Sequence, residues 1–346
     1  MTVTKKKKSE KLGLQQSGAQ FIRENLGVLV ALLVLICFLA LNPLTSRNFL
    51  AQKNIFNVLR QISDNILLAC GMTMVIILGG IDLSVGAVIA LSGVLSAGCV
   101  TRLGLPLVPA LLVGLLIGLA VGVFNGLVAS KTSIPPFIVT LATMNIARGL
   151  AGVYTGGSPV RVMTAEWKWL GTGYVGAVPI PVIVMLVVMG LSVFILNGTK
   201  IGRHIYAVGG NSQAAKFSGI RVSRVKFFVY AYSGLMAGLA GIVLASRMYS
   251  GQPTAGEGAE MDAIAAVVIG GTSMMGGSGK LGGTFIGALI IGFLNNGLNL
   301  MNVNSFWKTV IKGVVILLAV LLDYLKMIKR REQNQARLAK REAAQA

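Results

Sequence analysis

Long apolar runs, separated by short polar or glycine-rich breaks, recur from about residue 26 to residue 325. A helix packed in a water-soluble domain carries an apolar stripe along one face, so this pattern does not suit a soluble core. Lipid does suit it, because a helix satisfies its own backbone hydrogen bonds and crosses the hydrocarbon with about 20 mostly apolar residues. Ten runs can be marked, near 26–44, 62–79, 84–100, 107–127, 137–155, 178–196, 226–246, 261–276, 281–300 and 306–325. The second, third and eighth are glycine-rich or interrupted. Only 12% of residues are charged, against about 25% in a soluble domain. The expected fold class is an all-α polytopic integral membrane protein with about ten transmembrane helices.

The net charge of +20 is concentrated. The stretches 1–25, 197–226 and 326–346 hold 19 of the 31 Lys and Arg residues. No aromatic residues interleave with the terminal clusters as a nucleic-acid surface would need, so no nucleic-acid partner is expected. Lys and Arg flanking spans are retained on the cytoplasmic side. Ten spans with both termini inside place the connections near 128–136 and 197–226 inside as well. The block 197–226 has no Asp or Glu, whereas Glu257, Glu260 and Asp262 fall in a segment that starts outside. Three regions follow: a basic cytoplasmic tail over 1–25, a transmembrane domain over 26–325, and a second basic tail over 326–346. Lys5 to Lys8 ahead of an apolar run imitate a signal peptide, but the run is long and lacks a small-residue cleavage site, so it reads as a retained first span.

Catalytic and metal chemistry find little support. Cys37, Cys70 and Cys99 lie in apolar runs, and the single histidine is His204. Neither a disulfide framework nor a zinc site is expected from that set. The stretch Gly270 to Leu281 superficially resembles a phosphate-binding loop. A Walker A loop needs glycine five positions before its Gly-Lys and a hydroxyl residue after the lysine, and here Met274 and Leu281 stand there. The glycines suit a tight interhelical turn or a re-entrant break. No catalytic residue, cofactor or metal is expected.

Gly114, Gly118, Gly122 and Gly126 recur every four residues and share one helix face; Gly234/Gly238 and Gly283/Gly287 repeat the spacing. Small residues so placed let two helix backbones approach closely. Val75 to Gly80 echoes Val267 to Gly271, each followed by a polar break and another run, a short echo of the repeats found in some transporters. A carboxylate at the bilayer centre costs at least about 2.5–3.5 kcal/mol, so Asp82 is expected at a helix end, where it or Ser84 caps the next helix or takes part in transport or gating. Asn125, Asn145, Arg148, Asp262, Asn295, Asn296 and Asn299 are further polar groups in or beside spans. They either bond across helices or line a pathway. Of these, Asp82, Ser84, Asn145, Asp262, Asn295 and Asn296 are the candidate pathway or gating residues.

The block 197–226 is too long for a simple turn. Asn211 or Ser212 can cap a short helix carrying Ala214, Ala215 and Phe217, with Gly219 closing it. Such a helix offers a docking surface.

These residues resemble a known family. Gly79 to Gly86, and the stretches Gln252 to Gly258 and Asp262 to Ser273, look like signatures of permease subunits of monosaccharide ABC importers; Gly292 to Leu300 is most similar to the ribose branch. The resemblance covers about residues 45–325. It implies an ABC importer permease fold of the sugar/branched-chain amino acid type in the bacterial inner membrane, working as a homodimer. It also implies a separate cytoplasmic ATPase that binds the ATP and an extracytoplasmic sugar-binding protein. By resemblance, Gly202, Arg203, Ala207, Gly209, Asn211, Ala214, Ala215 and Gly219 form or position the ATPase-docking helix. Other sugars such as galactose or xylose, branched-chain amino acids, and a self-sufficient secondary transporter remain alternatives.

Overall fold

The computed structural model describes residue 22 and residues 25–343, with side chains only in part beyond residue 321. Apart from residues 22 and 25, the basic tail expected over 1–25 lies outside the described residues. The protein is built from helices: α1 (Asn25–Leu41), a single turn α2 (Ser46–Phe49), α3 (Gln52–Ile77), α4 (Val85–Thr101), α5 (Leu107–Lys131), α6 (Pro136–Thr155), α7 (Ala165–Thr172), α8 (Ile180–Gly198, ending in a π turn), α9 (Lys200–Gly210), α10 (Ser212–Phe217), α11 (Val222–Arg247), α12 (Ala259–Ile269), α13 (Leu281–Leu300) and α14 (Ser305–Ala343). Two antiparallel pairs complete it: β1 (Val160–Arg161) with β4 (Ser250–Gly251), and β2 (Tyr174–Val175) with β3 (Val178–Pro179).

Each of the ten apolar runs coincides with a helix. Six helices are long and apolar enough to span a membrane: α5, α6, α8, α11, α13 and the first part of α14. Apolar α1 and α4 are shorter. Helix α3 is long enough, but Arg60, Gln61, Asp64 and Asn65 make its first half polar. The eighth run is corrected in extent: α12 is only eleven residues long and stops at Ile269, and 270–280 is irregular. At the chain's far end, α14 continues from the last apolar run through the basic segment to Ala343.

Connections gather at two ends. At one, β1 pairs with β4, Arg102 reaches the Tyr154 carbonyl, Phe56 packs edge-on to Tyr174, and Asn54 and Asn296 exchange two amide hydrogen bonds. At the other end lie 78–84, the α5–α6 turn, α9–α10 and 270–280. The segment after β4 does not stay at the first end. A Cβ on Gly251 would meet Gly93 and Val94, and one on Gly86 would meet Gly256 and the Glu260 carboxylate. From Gly93 to Gly86 is about 10 Å along α4 at 1.5 Å per residue. Helix α12 therefore begins well inside the body, beside the start of α4.

The glycine stripe explains the closest packing. A Cβ on Gly118 would strike the Gly234 carbonyl and the Gly238 Cα, and one on Gly122 would strike the Tyr230 carbonyl and the Gly234 Cα. The same holds in reverse: Gly234 abuts the Gly118 carbonyl and Gly122, and Gly238 abuts Gly114 and Gly118. Helices α5 and α11 thus touch backbone to backbone. In lipid no hydrophobic effect holds helices together, so dispersion over such a close contact is the main attraction. Gly283 and Gly287 of α13 seat in the same way against Gly270 and Ala266.

Candidate functional site

The second end is organised by two helix stops of the same design. Helix α3 closes with Gly79 N–H donating to the Ile76 carbonyl (2.9 Å) and Gly80 N–H to the Val75 carbonyl (2.9 Å). Helix α12 closes with Gly271 N–H to Val268 (2.9 Å) and Thr272 N–H to Val267 (3.1 Å). Gly79 and Gly271 both adopt the left-handed conformation, at φ +82° and +86°. This is a glycine-closed helix terminus with paired backbone bonds, placed at matching positions of the two echoing segments. The stops also meet: Gly277 N–H donates to the Ile77 carbonyl at 2.8 Å.

Helix α9 rests on that junction. The Thr199 hydroxyl caps it by accepting from Gly202 N–H at 3.2 Å. Gly202, Ile205 and Val208 are buried, while Arg203 and Ala207 are exposed. Its far end is held by Tyr206, whose hydroxyl donates to the Gly279 carbonyl at 2.8 Å; partial burial raises the phenol above its usual pKa. A Cβ on Gly209 would run into the Ile77 carbonyl and Gly277 N, so α9 contacts both helix stops at a point only glycine permits. Asn211 then caps α10 by accepting from Ala214 N–H at 2.9 Å. Gly219 closes α10 at φ +81°. On α10, Ala215 is buried, whereas Asn211, Ala214 and Gly219 are exposed and Phe217 is 88% exposed. The eight residues expected in a docking element therefore divide. Gly202, Gly209 and Ala215 face the helix bundle, while Arg203, Ala207, Asn211, Ala214 and Gly219 face away. A cleft of about 430 Å³ opens beside the α9–α10 junction, lined among others by Gly79, Gly80, Gly209 and Tyr230.

Behind the first stop lies a buried polar network. Asp82 is fully buried. Its Oδ1 accepts from the Ser84 hydroxyl (2.6 Å) and Ser84 N–H (3.1 Å), and its Oδ2 accepts from the Ser233 hydroxyl of α11 (2.8 Å). Asn125 of α5 donates to the Ser84 hydroxyl at 2.9 Å, and Thr143 of α6 donates to Asn125 at 2.7 Å. Ser84 stands at the N-cap position of α4, yet its side chain makes no capping bond. Asp82 instead accepts from Ser84 N–H just ahead of α4, a bond of the capping type, and both residues reach beyond that helix. They join the 78–84 break to α5, α6 and α11, and each satisfied donor offsets the cost of burying the carboxylate.

The other candidate pathway residues are not part of this network. Asn145 is exposed on α6 and donates to the Leu141 carbonyl of its own helix (3.1 Å). Asp262 pairs with Lys312 of α14 at 2.8 Å. Asn296 bonds Asn54 near the opposite end, and Asn295, its neighbour on α13, is half-buried. Arg148 of α6 pins the descending segment by donating to the Pro253 (2.8 Å) and Ala255 (2.6 Å) carbonyls.

One polar group was not anticipated. Asp64 of α3 is buried and pairs with Arg247 of α11 at 2.9 Å, beside Arg60, which stacks on Tyr174 at 4.6 Å and donates to the Thr172 carbonyl. The signal was present: Asn57, Arg60, Gln61, Asp64 and Asn65 fall on one helix face at i, i+3, i+4, i+7 and i+8. This polar face begins ahead of the apolar run near 62–79. Among the described residues, no group of three or more His, Cys, Asp or Glu side chains could hold a metal ion.

Span-length apolar helices with exposed lipid-facing side chains, close glycine packing, and paired helix stops beneath a solvent-facing helical element together define a multi-pass membrane permease. The chain belongs to the family described as the branched-chain amino acid transport system / permease component, whose model matches residues 54–320. Among curated proteins it is 50% identical to the ribose import permease protein of Bacillus subtilis (strain 168), over 92% of this chain and 99% of that one. It is 47% identical to the ribose import permease protein of Escherichia coli (strain K12), over 86% and 93%. The xylose transport system permease protein of the same strain is 36% identical over 89% and 93%. No solved structure matches the chain.

Proposed function

We propose that this chain is the membrane-spanning permease subunit of an ATP-driven monosaccharide importer of the bacterial inner membrane, with ribose as its sugar. The observation that carries the reading is 47–50% identity to ribose import permeases over most of the chain. Identity to a xylose permease falls to 36%, which makes xylose the second reading. On this proposal two copies form the pathway through about ten spans each. Both termini lie inside, as do the docking element on 197–226 and the basic segments at the two ends of the chain. A separate ATPase binds the ATP, a binding protein delivers sugar to the outer face, and the permease itself performs no catalysis.

Reconstitution tests it. Labelled ribose should accumulate in proteoliposomes only when ATPase, ATP and binding protein are all supplied, and xylose should be taken up less well. Accumulation by this chain alone would sink the reading, and preference for xylose would replace the sugar.

The division of the docking element yields a second expectation. Ala214 is exposed and Gly209 is wedged against the helix stops. Ala214→Trp should lower ATPase affinity by about tenfold, on the scale of losing one well-packed interface residue, and leave thermal stability unchanged. Gly209→Val should do the reverse, retaining ATPase binding while ATP hydrolysis no longer drives uptake. Equal behaviour of the two variants would refute the division.

A further inference from the structure

We infer that the permease carries a specific site for the headgroup of an anionic phospholipid, between the end of α5, the end of α10 and the first turn of α11. A cleft of about 580 Å³ opens there. Lys216, Arg221, Arg224 and Lys226 line it together with Ser130 and Ser223. Among the described residues, none of the four cationic side chains makes an ion pair or hydrogen bond, and the whole block 197–226 has no Asp or Glu to neutralise them. Four uncompensated cations around one concave surface call for an anion.

The position selects a lipid. Ser130 lies in the last turn of spanning helix α5, and Val222 begins spanning helix α11. The ends of spanning helices sit at headgroup depth, and basic pockets between such helices recognise anionic headgroups. One helical turn from Ser130, Leu127 is exposed, and Phe124 follows one turn beyond. This apolar strip runs from the cleft along the lipid-facing side of α5, where an acyl chain would lie. Arg221, at the N-cap of α11, makes no side-chain capping bond and its carbonyl takes the Arg224 N–H, so the Val222 and Ser223 amides are left for phosphate oxygens. A soluble acidic protein could reach the cations, but it would leave the apolar strip unused.

Native mass spectrometry of the detergent-solubilised full chain provides the test, with dioleoylphosphatidylglycerol titrated against dioleoylphosphatidylcholine. One phosphatidylglycerol per chain should be retained about tenfold more tightly than phosphatidylcholine. Arg221→Gln with Arg224→Gln should abolish that preference, and the Lys replacements at both positions should keep it. If the Gln pair fails to fold, exposed Lys216→Gln carries the test and should weaken retention several-fold. Unchanged phosphatidylglycerol binding in a folded Gln variant overturns the site. Displacement of the lipid by inorganic phosphate would show a free-anion site instead. Loss of ATPase binding with lipid retention unchanged would show a protein-docking surface instead. Either result also overturns the proposal.

Discussion

Gly118→Leu and Gly234→Leu are each expected to leave little folded protein, with detergent-solubilised yield and melting temperature both falling sharply. Each glycine abuts the other helix's backbone rather than flexible side chains, so no rotamer change can make room. The helices must separate instead. Overpacking a core commonly costs about 1–3 kcal/mol; forcing two backbones apart should exceed that range, because dispersion along the whole α5–α11 contact weakens at once. Gly114→Ala is the milder comparison, since a Cβ there meets the Ser96 hydroxyl and the Ile242 side chain, which can yield. Gly149 has nothing within 4 Å of a Cβ, and Gly149→Ala should be neutral. The measurement is the thermal midpoint of each purified variant. A folded, wild-type-like Gly118→Leu would show that α5 and α11 are not packed as described.

The contrast among those glycines shows what a one-dimensional reading can reach. Spacing by four identifies a shared helix face, so the stripe on α5 was visible in advance. The cap at Asn211 and the stop at Gly219 were equally legible, because both depend on residues within one or two turns. What spacing cannot provide is the partner. That α5 lies on α11, and that the stops after Ile77 and Ile269 meet beneath Gly209, depends on segments separated by tens to hundreds of residues. The end of α12 was misjudged for a related reason. Met274 and Met275 draw the apolar run on to residue 276, but Gly271 turns the chain into the left-handed region, and hydropathy does not register backbone conformation. The polar face of α3 was missed because the span was marked by apolarity alone; helical phase would have aligned Arg60 with Asp64. Arg247, the partner of Asp64, was beyond local inference.

Asp82→Ala should destabilise the protein by about 3 kcal/mol, the scale of losing more than one hydrogen bond to a charged group. Three donors lose their acceptor: the Ser84 hydroxyl, Ser84 N–H and the Ser233 hydroxyl. Ser233 lies within α11 and can turn back to a carbonyl of its own helix, which recovers part of the loss. Ser84 has less freedom, since it also receives Asn125. Asp82→Asn keeps an acceptor for Ser84 and lets the Ser233 hydroxyl accept instead of donate, so its cost should stay near 1 kcal/mol. Ser233→Ala should resemble Asp82→Asn. On the proposed function the consequences reach transport as well. Asp82 anchors the break that carries Gly79 and Gly80, and α9 is seated against that break and the one after Ile269. A loosened break would absorb movement of α9 rather than pass it to α3 and α12. Asp82→Ala, assayed below its own melting temperature, should therefore hydrolyse ATP with little ribose uptake, whereas Asp82→Asn retains most of it. A stable, fully coupled Asp82→Ala would mean that the network only fills space and that movement reaches the spans by another route.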